Sequence, residues 1–378
     1  MKKFHFHSLD ALRFFAFLKV YFLHVPVQGN FPVFGLLKSG GGIGVCFFFV
    51  LSGFLITYLL SHEKLHVGQI DFKKFLIRRT LRIWPLYFLV VLVVFMLPYG
   101  FKESSGLHMV GGGYNFDWRY SFTFFENYKM LLVDNFPKTT PLSVFWSLCI
   151  EEHFYIVWLI GLFLLPSKYI FRFLSGCFVV AIAARLIEPH LFAYQVIDAN
   201  DLFTNMDYFA SGGLLGYLVA RDYEAVAGFI QKIYAWVKYL VILLVIIVVI
   251  FQSYFLPNVQ GSFFSYIRPT VISVMFTILL SLFIPKDSRI RINSKVLNYL
   301  GTISFGLYVY HLIFVHMVFQ YCIHHKILID NWITLSTYIL ITLGGTIGVS
   351  MVSYHFFEKP FLSLREKWTL KKVAVAES

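Results

Sequence analysis

The sequence predicts an all-α fold, a polytopic membrane helix bundle with about ten transmembrane helices. Of the 378 residues, 58% are hydrophobic, 20% are aromatic and only 14% are charged, and the mean hydropathy is +0.71. Soluble domains carry about 25% charged residues. Apolar runs of roughly 18 to 25 residues recur along the chain, each long enough to cross a hydrocarbon core of about 30 Å as a helix. This composition excludes a soluble globular protein.

Ten apolar segments are the predicted spans, and residues 1–378 are predicted to form one membrane domain with a cytoplasmic tail from about 358 to 378. The spans cover about 11–29, 42–60, 83–99, 143–165, 169–187, 205–220, 235–256, 265–284, 297–322 and 332–357. The first follows a basic start, MKKFHFH, but lacks a small-residue cleavage site. We therefore interpret it as a retained helix and not as a secretory signal.

Lysine and arginine are distributed unevenly between the two sets of connecting segments. The termini together with the loops near 61–82, 166–172, 221–234 and 285–296 carry 21 of the 32, the opposite set carries 6 and the spans carry 5. Because positively charged loops remain in the cytoplasm, both termini are predicted to be cytoplasmic, in the cytoplasmic (inner) membrane. The net charge of +12 thus reflects topology and attraction to anionic membrane lipids, and it does not require a nucleic acid partner.

No metal or disulfide framework is predicted. The four cysteines are Cys46, Cys149, Cys177 and Cys322. All fall in apolar spans without paired spacing, which disfavours both a disulfide and a zinc site. The glycine run SGGGIGV resembles a nucleotide-binding loop, but no strand precedes it, so we discard that interpretation.

Arg13 and His24 share one face of the first span. Eleven residues along an α-helix are three turns plus about 20° and a rise of about 16 Å. A charge that faces lipid at mid-span costs at least about 2.5–3.5 kcal/mol, so such residues normally face a cavity or a partner. The alternative is that Arg13 extends to the lipid headgroups and that His24 bonds a neighbouring helix. Lys19 lies off this face and shows that not every ionisable residue here belongs to the pair.

A cationic cluster, RRTLRIWPLYF, is predicted to close the first cytoplasmic loop, with Trp84 and Pro85 marking where the third span enters the membrane. Arg79 and Arg82 are three residues apart and so are neighbours on a helix surface. Guanidinium groups bind phosphate oxygens in a bidentate way. The alternative is an ordinary positively charged flank of a membrane helix.

The fourth span, FWSLCIEEHFYIVW, places Glu151, Glu152 and His153 inside the membrane. Adjacent helical residues point about 100° apart, so only one of the two carboxylates can readily face the same cavity as His24. A carboxylate that accepts an imidazole N–H makes the other ring nitrogen a better general base. A proton relay in a transporter would use the same residue types.

Three further stretches contain polar residues. Ser52 and Gly53 lie in the second span, where small residues most often serve close helix packing. His311 is buried in the ninth span. Glu358 and Pro360 are predicted to end the tenth span as a helix stop.

Six stretches resemble, in order, the motif series of the acyltransferase family 3 integral-membrane proteins. They are LDALRFFAFLKVYFLH, GVCFFFVLSGFLIT, RRTLRIWPLYF, FWSLCIEEHFY, LGTISFGLYVYH and FFEKPF. The resemblance implies transfer of an acyl group, most often acetyl, from acyl-CoA to a hydroxyl. Acceptors of this family are surface polysaccharides, lipopolysaccharide, peptidoglycan precursors or small metabolites.

The family motifs fall on specific residues of this chain. The motif of Arg or Lys followed after ten residues by His matches Arg13 and His24, and the Arg-x-x-Arg motif matches Arg79 and Arg82. The Ser-Gly motif matches Ser52 and Gly53, and the Glu-Glu motif matches Glu151 and Glu152. Many relatives have an arginine two residues before the aspartate that matches Asp207, whereas this chain has Asn205.

We therefore expect a membrane O-acyltransferase that uses acyl-CoA, most simply acetyl-CoA, as co-substrate. The residues expected to bind the donor are Arg13, Arg79, Arg82 and Ser52. Those expected to act in catalysis are His24, Glu151 and Glu152. Those expected to bind the acceptor, a glycan or lipid-linked sugar, are His311, Trp146 and Asp207.

Two other functions use the same residue types. A proton-coupled transporter or flippase of a lipid-linked glycan would use Arg13, His24 and the glutamates as a relay. It would also need paired, broken helices in two matching halves, which the sequence does not show. A catalytically inactive sensor would keep the fold and lose both activities.

Overall fold

The computed structural model describes residues 6–107, 117–135, 140–192, 200–257, 262–286 and 290–364. Throughout these ranges the regular structure is helical, without β-strands. The α-helices are α1 His7–His24, α2 Pro32–Lys38, α3 Ile43–Val67, α4 Phe72–Met96, α5 Tyr99–Ser104, α6 Trp118–Phe122, α7 Glu126–Val133, α8 Trp146–Leu164, α9 Ile170–Phe192, α10 Met206–Arg221, α11 Tyr223–Lys232, α12 Ala235–Ile250, α13 Gln252–Phe255, α14 Phe263–Ser281, α15 Lys295–Thr302, α16 Ser304–His324 and α17 Trp332–Val352. Two 3-10 turns, Pro141–Val144 and Ser167–Tyr169, and one π-helix, Ser353–Glu358, complete the set.

The described residues contain seven helical segments that are long and apolar enough to cross a membrane. Counting the bent pair α11 and α12, whose axes differ by 94°, as one more span raises the number to eight. The helix α1 falls outside this group because it carries three charged residues, and α10 does so because it has only 16 residues. The predicted all-α polytopic bundle is therefore confirmed, and the count of about ten spans is approximate.

The first helix is shorter than predicted. It ends at His24, whereas the apolar pattern suggested about residue 29. Val25 has an extended backbone, with φ −66° and ψ 117°, because the ring of Pro26 disfavours the helical conformation in the residue before it. His24 is thus the last residue of α1 and borders a turn.

The helix that contains the third predicted span begins at Phe72, about eleven residues before the predicted start at 83, and the point where it enters the membrane, placed at Trp84 and Pro85, stays a prediction. The side chain of Asp71 caps the helix by accepting the Lys74 N–H at 2.9 Å, and the residues that follow are good helix formers. Arg79 and Arg82 therefore lie on a rigid helix and not on a loop flank.

The predicted helix stop at Pro360 is also wrong, because the chain remains helical to residue 364. A π-helix over Ser353–Glu358 precedes the proline, and its i to i+5 bonding changes the turn against which the proline ring packs. The predicted cytoplasmic tail thus begins as helix, and residues 365–378 lie outside the described ranges.

Helices α3 and α10 form the most extensive helix pair. Glycines allow this approach, since a Cβ at Gly53 would overlap the backbone of Phe209 and a Cβ at Gly212 would overlap the carbonyl of Val50. Gly53 therefore has the packing role that its residue type suggested.

The buried apolar side chains of the described residues form two clusters. The larger involves α3, α4, α8, α10 and α14, and the smaller involves α2, α15 and α17. Helices α1 and α16 contribute side chains to both clusters, so they lie between them. Polar residues on α1 and α16 are therefore held between two packed apolar regions.

The described part of the segment between α4 and α8 packs on the bundle through aromatic rings. Phe124 stacks on Tyr87 at 4.3 Å, and the Tyr87 hydroxyl donates to the carbonyl of Ser121 at 2.7 Å. Asp117 caps α6, and hydrogen bonds from the Arg119 side chain and backbone lower the pKa of this carboxyl to about 2. Residues 108–116 of this segment lie outside the described ranges.

Candidate active site

A cavity of about 100 Å³ lies among α1, α3, α4, α8 and α16. Its lining includes nine residues with polar or charged side chains. They are Arg13, Ser52, Arg79, Arg82, Ser147, Glu151, Tyr155, Ser304 and Tyr308. Concave sites with a few convergent polar groups are the usual setting of ligand binding in proteins.

Five residues predicted for the site line this one cavity. They are Arg13 from α1, Ser52 from α3, Arg79 and Arg82 from α4, and Glu151 from α8. They come from chain segments up to about 140 residues apart, so the fold, and not local sequence, brings them together. The structure thus joins the arginines, the serine and one glutamate into a single polar wall.

The arginines form a cationic region of the cavity. The Nη1 of Arg13 donates to the Oδ1 of Asp10 at 2.6 Å, one turn earlier on α1. Among the described residues Arg79 and Arg82 have no carboxylate within 4 Å, although Glu151 and Glu358 are near enough to attract them. The region therefore keeps guanidinium groups that can bind an anion.

Arg79 is positioned by aromatic rings. Its guanidinium carbon lies 5.8 Å from the centre of Phe75 and 5.5 Å from that of Tyr155, distances typical of cation–π contacts. Its Nε is buried and makes no hydrogen bond with the described residues. A buried N–H without an acceptor is a group that a bound anion can satisfy.

The two glutamates point in different directions, as their 100° separation on a helix requires. Ser52 Oγ donates a hydrogen bond to Glu151 Oε1 on the cavity wall. Glu152 does not line the cavity, and its Oε2 accepts the indole N–H of Trp84 at 3.1 Å. Glu151 is therefore the carboxylate that the structure places at the site.

His24 lies outside the cavity lining, at the last residue of α1. Its ring centre is 5.3 Å from that of His311, and within the described residues its nitrogens make no hydrogen bond. The structure does not bring Glu151 or Glu152 to His24, because the first bonds Ser52 and the second bonds Trp84. The expected carboxylate–imidazole pair is thus absent from the described contacts.

His311 lies between the cavity wall and His24. It is fully buried, and its Nδ1 donates to the carbonyl oxygen of Tyr308 at 2.6 Å. The Tyr308 ring lines the cavity, and its hydroxyl hydrogen-bonds Ser147 Oγ at 2.7 Å. The cavity therefore reaches Tyr308, and the His311 ring lies 5.7 Å from the Tyr308 ring and 5.3 Å from the His24 ring.

The other two residues assigned to the acceptor do not line the cavity. Trp146 is half-buried and packs against the larger apolar cluster. Asp207 is fully buried and pairs with Arg185 of α9 at 2.5 Å, while Thr270 donates to its other oxygen at 2.5 Å. Arg185 therefore balances the charge of the buried Asp207 carboxylate.

Apart from Ser52, sequence reasoning missed the hydroxyl groups of the cavity. Tyr155 is four residues after Glu151, so helical spacing alone could have placed both on one face. Ser147, four residues before Glu151, carried the same signal, whereas Tyr308 did not, because neutral hydroxyls are common in membrane helices. No group of three His, Cys, Asp or Glu side chains in the described part of the chain is placed to hold a metal ion.

A family model described as "Acyltransferase domain" (Acyl_transf_3) matches residues 6–355. The chain is 28% identical, over 93% of its length and 54% of the relative's, to "Putative peptidoglycan O-acetyltransferase YrhL" of Bacillus subtilis. It is 26% identical, over 94% of its length and 57% of the relative's, to "Putative O-acetyltransferase SACOL0978" of Staphylococcus aureus. It is 34% identical, over 40% of its length and 23% of the relative's, to "Peptidoglycan O-acetyltransferase OatA" of Listeria monocytogenes.

The chain spans about half the length of the first two relatives, and less of the third. No solved structure matches it.

Proposed function

The chain belongs to acyltransferase family 3, and on this premise we propose that it is a membrane O-acyltransferase that moves an acetyl group from acetyl-CoA to a hydroxyl of a cell-envelope glycan. The observation that carries the proposal is the convergence of Arg13, Arg79, Arg82, Ser52 and Glu151 on one cavity. Two of the relatives are named as peptidoglycan O-acetyltransferases, which favours a peptidoglycan-like acceptor over lipopolysaccharide.

We assign the donor phosphates to the arginines of the cavity. Arg79 and Arg82 lie one turn apart on α4, and Arg13 of α1 is near enough to interact electrostatically with both. Phosphate carries several acceptor oxygens, which suits guanidinium groups that lack carboxylate partners. The unpartnered Nε of Arg79 adds one more donor.

The donor approaches from the cytoplasm in this proposal. The predicted topology places the start of α1 and of α4 on the cytoplasmic side, and the three arginines lie in the second and third turns of those helices. Cytoplasmic acetyl-CoA would thus meet the arginines first, and its thioester would extend along the cavity toward Tyr308. Beyond the cavity, the ring of His311 lies 5.7 Å from that of Tyr308 and 5.3 Å from that of His24, and the proposal requires the thioester to reach past Tyr308 to the His24 imidazole.

We assign the proton transfer to His24. The imidazole removes the proton of the acceptor hydroxyl, whose oxygen attacks the thioester carbonyl carbon. The C–O bond forms, the C–S bond breaks, and the proton passes from His24 to the leaving thiolate to give free CoA. General-base assistance of this kind contributes about 10²- to 10⁴-fold in rate.

Glu151 is assigned to the cavity and not to direct support of His24. Its carboxylate, held by Ser52, attracts Arg79 and so orders the donor-binding wall. Glu152, bonded to Trp84, is not assigned a catalytic role here. Asp207 is likewise not proposed as an acceptor contact, because Arg185 and Thr270 already satisfy it.

The test is transfer of radiolabelled acetyl from acetyl-CoA to peptidoglycan fragments in membranes that contain the full chain. We expect His24→Ala to lower the transfer rate at least about 100-fold, which is within the range of general-base catalysis. The matched control is His325→Ala, at an exposed histidine next to Tyr321. Transfer that persists unchanged in His24→Ala, or glycan-dependent ion flux without transfer, would overturn the proposal, and the second result would identify a transporter.

A further inference from the structure

His24 and His311 form a pair of rings, and no carboxylate of the described residues bonds to either ring. The ring centres are 5.3 Å apart and the planes are tilted by 53°. At this separation the nearest nitrogen atoms of the two rings can reach hydrogen-bonding distance after a small rotation of His24. His24 is half-buried at the end of α1 and has that freedom, whereas His311 is fully enclosed.

The hydrogen bond to Tyr308 determines which nitrogen of His311 is protonated. A carbonyl oxygen can only accept, so the Nδ1 that lies 2.6 Å from the Tyr308 oxygen must carry the hydrogen. In the neutral ring Nε2 is then an acceptor, and this atom is buried without a hydrogen-bond partner among the described residues. The structure therefore contains an oriented, unused acceptor beside His24.

The surroundings of His311 prevent it from turning away. Its ring contacts Phe17 of α1 edge-on at 5.8 Å and lies 5.7 Å from the ring of Tyr308. Tyr308 is in turn held by Ser147 at 2.7 Å and by the carbonyl of Val144 at 3.0 Å. A catalytic group needs a neighbour that is fixed in this way if its own orientation is to be defined.

We propose that His311 is the positioning residue of His24: its Nε2 accepts an N–H of His24, so that the other nitrogen of His24 presents its lone pair to the acceptor hydroxyl. This inference rests on the proposed function, and it replaces the substrate-binding role expected for His311. When His24 takes the hydroxyl proton, its N–H bond to His311 remains, and the proton leaves again with the thiolate. The neutral imidazole of His311 thus fills the place that a carboxylate fills in a Ser-His-Asp triad.

The charged and titratable groups that face His24 come from two other elements. His311 and His316 are on α16, and Lys38 is on α2, where its Nζ donates to the carbonyl of Val25 at 2.7 Å. None of these three is a carboxylate. The acid limb of the pH–rate profile should therefore report His24 together with His311 and His316, with the charge of Lys38 constant, and comparison with a His311 variant isolates the His24–His311 pair.

The first test compares His311→Phe, which keeps the aromatic packing against Phe17 but has no acceptor, with His311→Gln, whose amide oxygen can accept. In the full chain in membranes, we expect His311→Phe to lower kcat about 100-fold with an unchanged KM for acetyl-CoA. We expect the kcat of His311→Gln to be at least about tenfold higher than that of His311→Phe. We also expect the acid limb of kcat against pH to move in His311→Phe, because the proton affinity of His24 changes with its partner.

A purely structural role would lower the amount of folded protein and leave the acid limb in place. Wild-type kcat in folded His311→Phe, or an unmoved acid limb, would overturn the proposal.

The second test needs neither a variant nor activity. Nitrogen-15 NMR of histidine-labelled wild-type protein in lipid should show one dominant tautomer at His24 and an Nε2 acceptor shift at His311. Equal populations of both His24 tautomers would overturn the proposal. Because this readout does not depend on acyl transfer, failure of the proposed function, seen as no transfer by the wild type, is distinguishable from failure of the His24–His311 pair.

Discussion

Ser52 Oγ donates a hydrogen bond to Glu151 Oε1 and so connects α3 to α8 across the wall of the cavity. The bond determines which of the two consecutive glutamates serves the site, because it holds Glu151 toward the arginines while Glu152 faces Trp84. Ser52 is next to Gly53, whose missing side chain lets α3 pack closely on α10.

We predict that Ser52→Ala and Glu151→Gln act on one interaction. Each should lower acetyl transfer about tenfold, and the double variant should be no slower than the slower single variant, because the second change removes nothing further. The measurement is a double-mutant cycle on transfer rates in membranes. Ser61→Ala is the control, since Ser61 is on the same helix and its buried hydroxyl makes no hydrogen bond with described residues. Multiplicative losses in the double variant would contradict a shared bond.

We predict that Arg79→Ala and Arg82→Ala raise the KM for acetyl-CoA. Loss of one charge-assisted bond of about 1.5–3 kcal/mol corresponds to about a 10- to 100-fold increase. The increase should disappear with acetyl-pantetheine, a donor without phosphates, and this comparison assigns the arginines to phosphate. Arg172→Ala, at an exposed arginine of α9, should leave both donors unaffected. Equal effects on the two donors would argue against the assignment.

Asp207 is predicted to stabilise the fold and not to bind substrate. Asp207→Asn should destabilise the protein by about 3–5 kcal/mol, because the buried guanidinium of Arg185 loses its counter-charge. The second variant, Arg185→Met with Asp207→Leu, should recover most of that stability, since no buried charge is left alone. Thermal unfolding in detergent measures both. A stable Asp207→Asn protein with a raised KM for the glycan would instead support the acceptor role expected from sequence.

The contact between α3 and α10 is predicted to require Gly212. A Cβ there would overlap the carbonyl of Val50, so Gly212→Ala should destabilise the protein by about 1–3 kcal/mol. Gly228→Ala is the matched control on α11, where an added Cβ meets no atom within 4 Å, and it should stabilise by about 0.5–1 kcal/mol. Equal melting temperatures of the two variants would show that α3 and α10 can separate without cost.

Helical periodicity made part of the site predictable. Arg79 and Arg82 are neighbours on any helix, and Glu151 and Glu152 cannot share a direction on any helix, whatever surrounds them. The helix boundaries were less predictable, because hydropathy does not register caps. Asp71 extended α4 toward its N-terminus, and Pro26 shortened α1.

Composition and the spacing of residues within single helices therefore determined that this chain is a membrane bundle and which side chains could line one helix face. Only the tertiary structure decided which face of α8 turns to the cavity, that Asp207 pairs with Arg185, and that His24 lies beside the imidazole of His311. The physical reason is that the rotation of a helix and the choice of its neighbours depend on packing between segments far apart in the chain. Gly53 and Gly212, which let α3 and α10 approach, are an example. Local periodicity contains no information on such contacts.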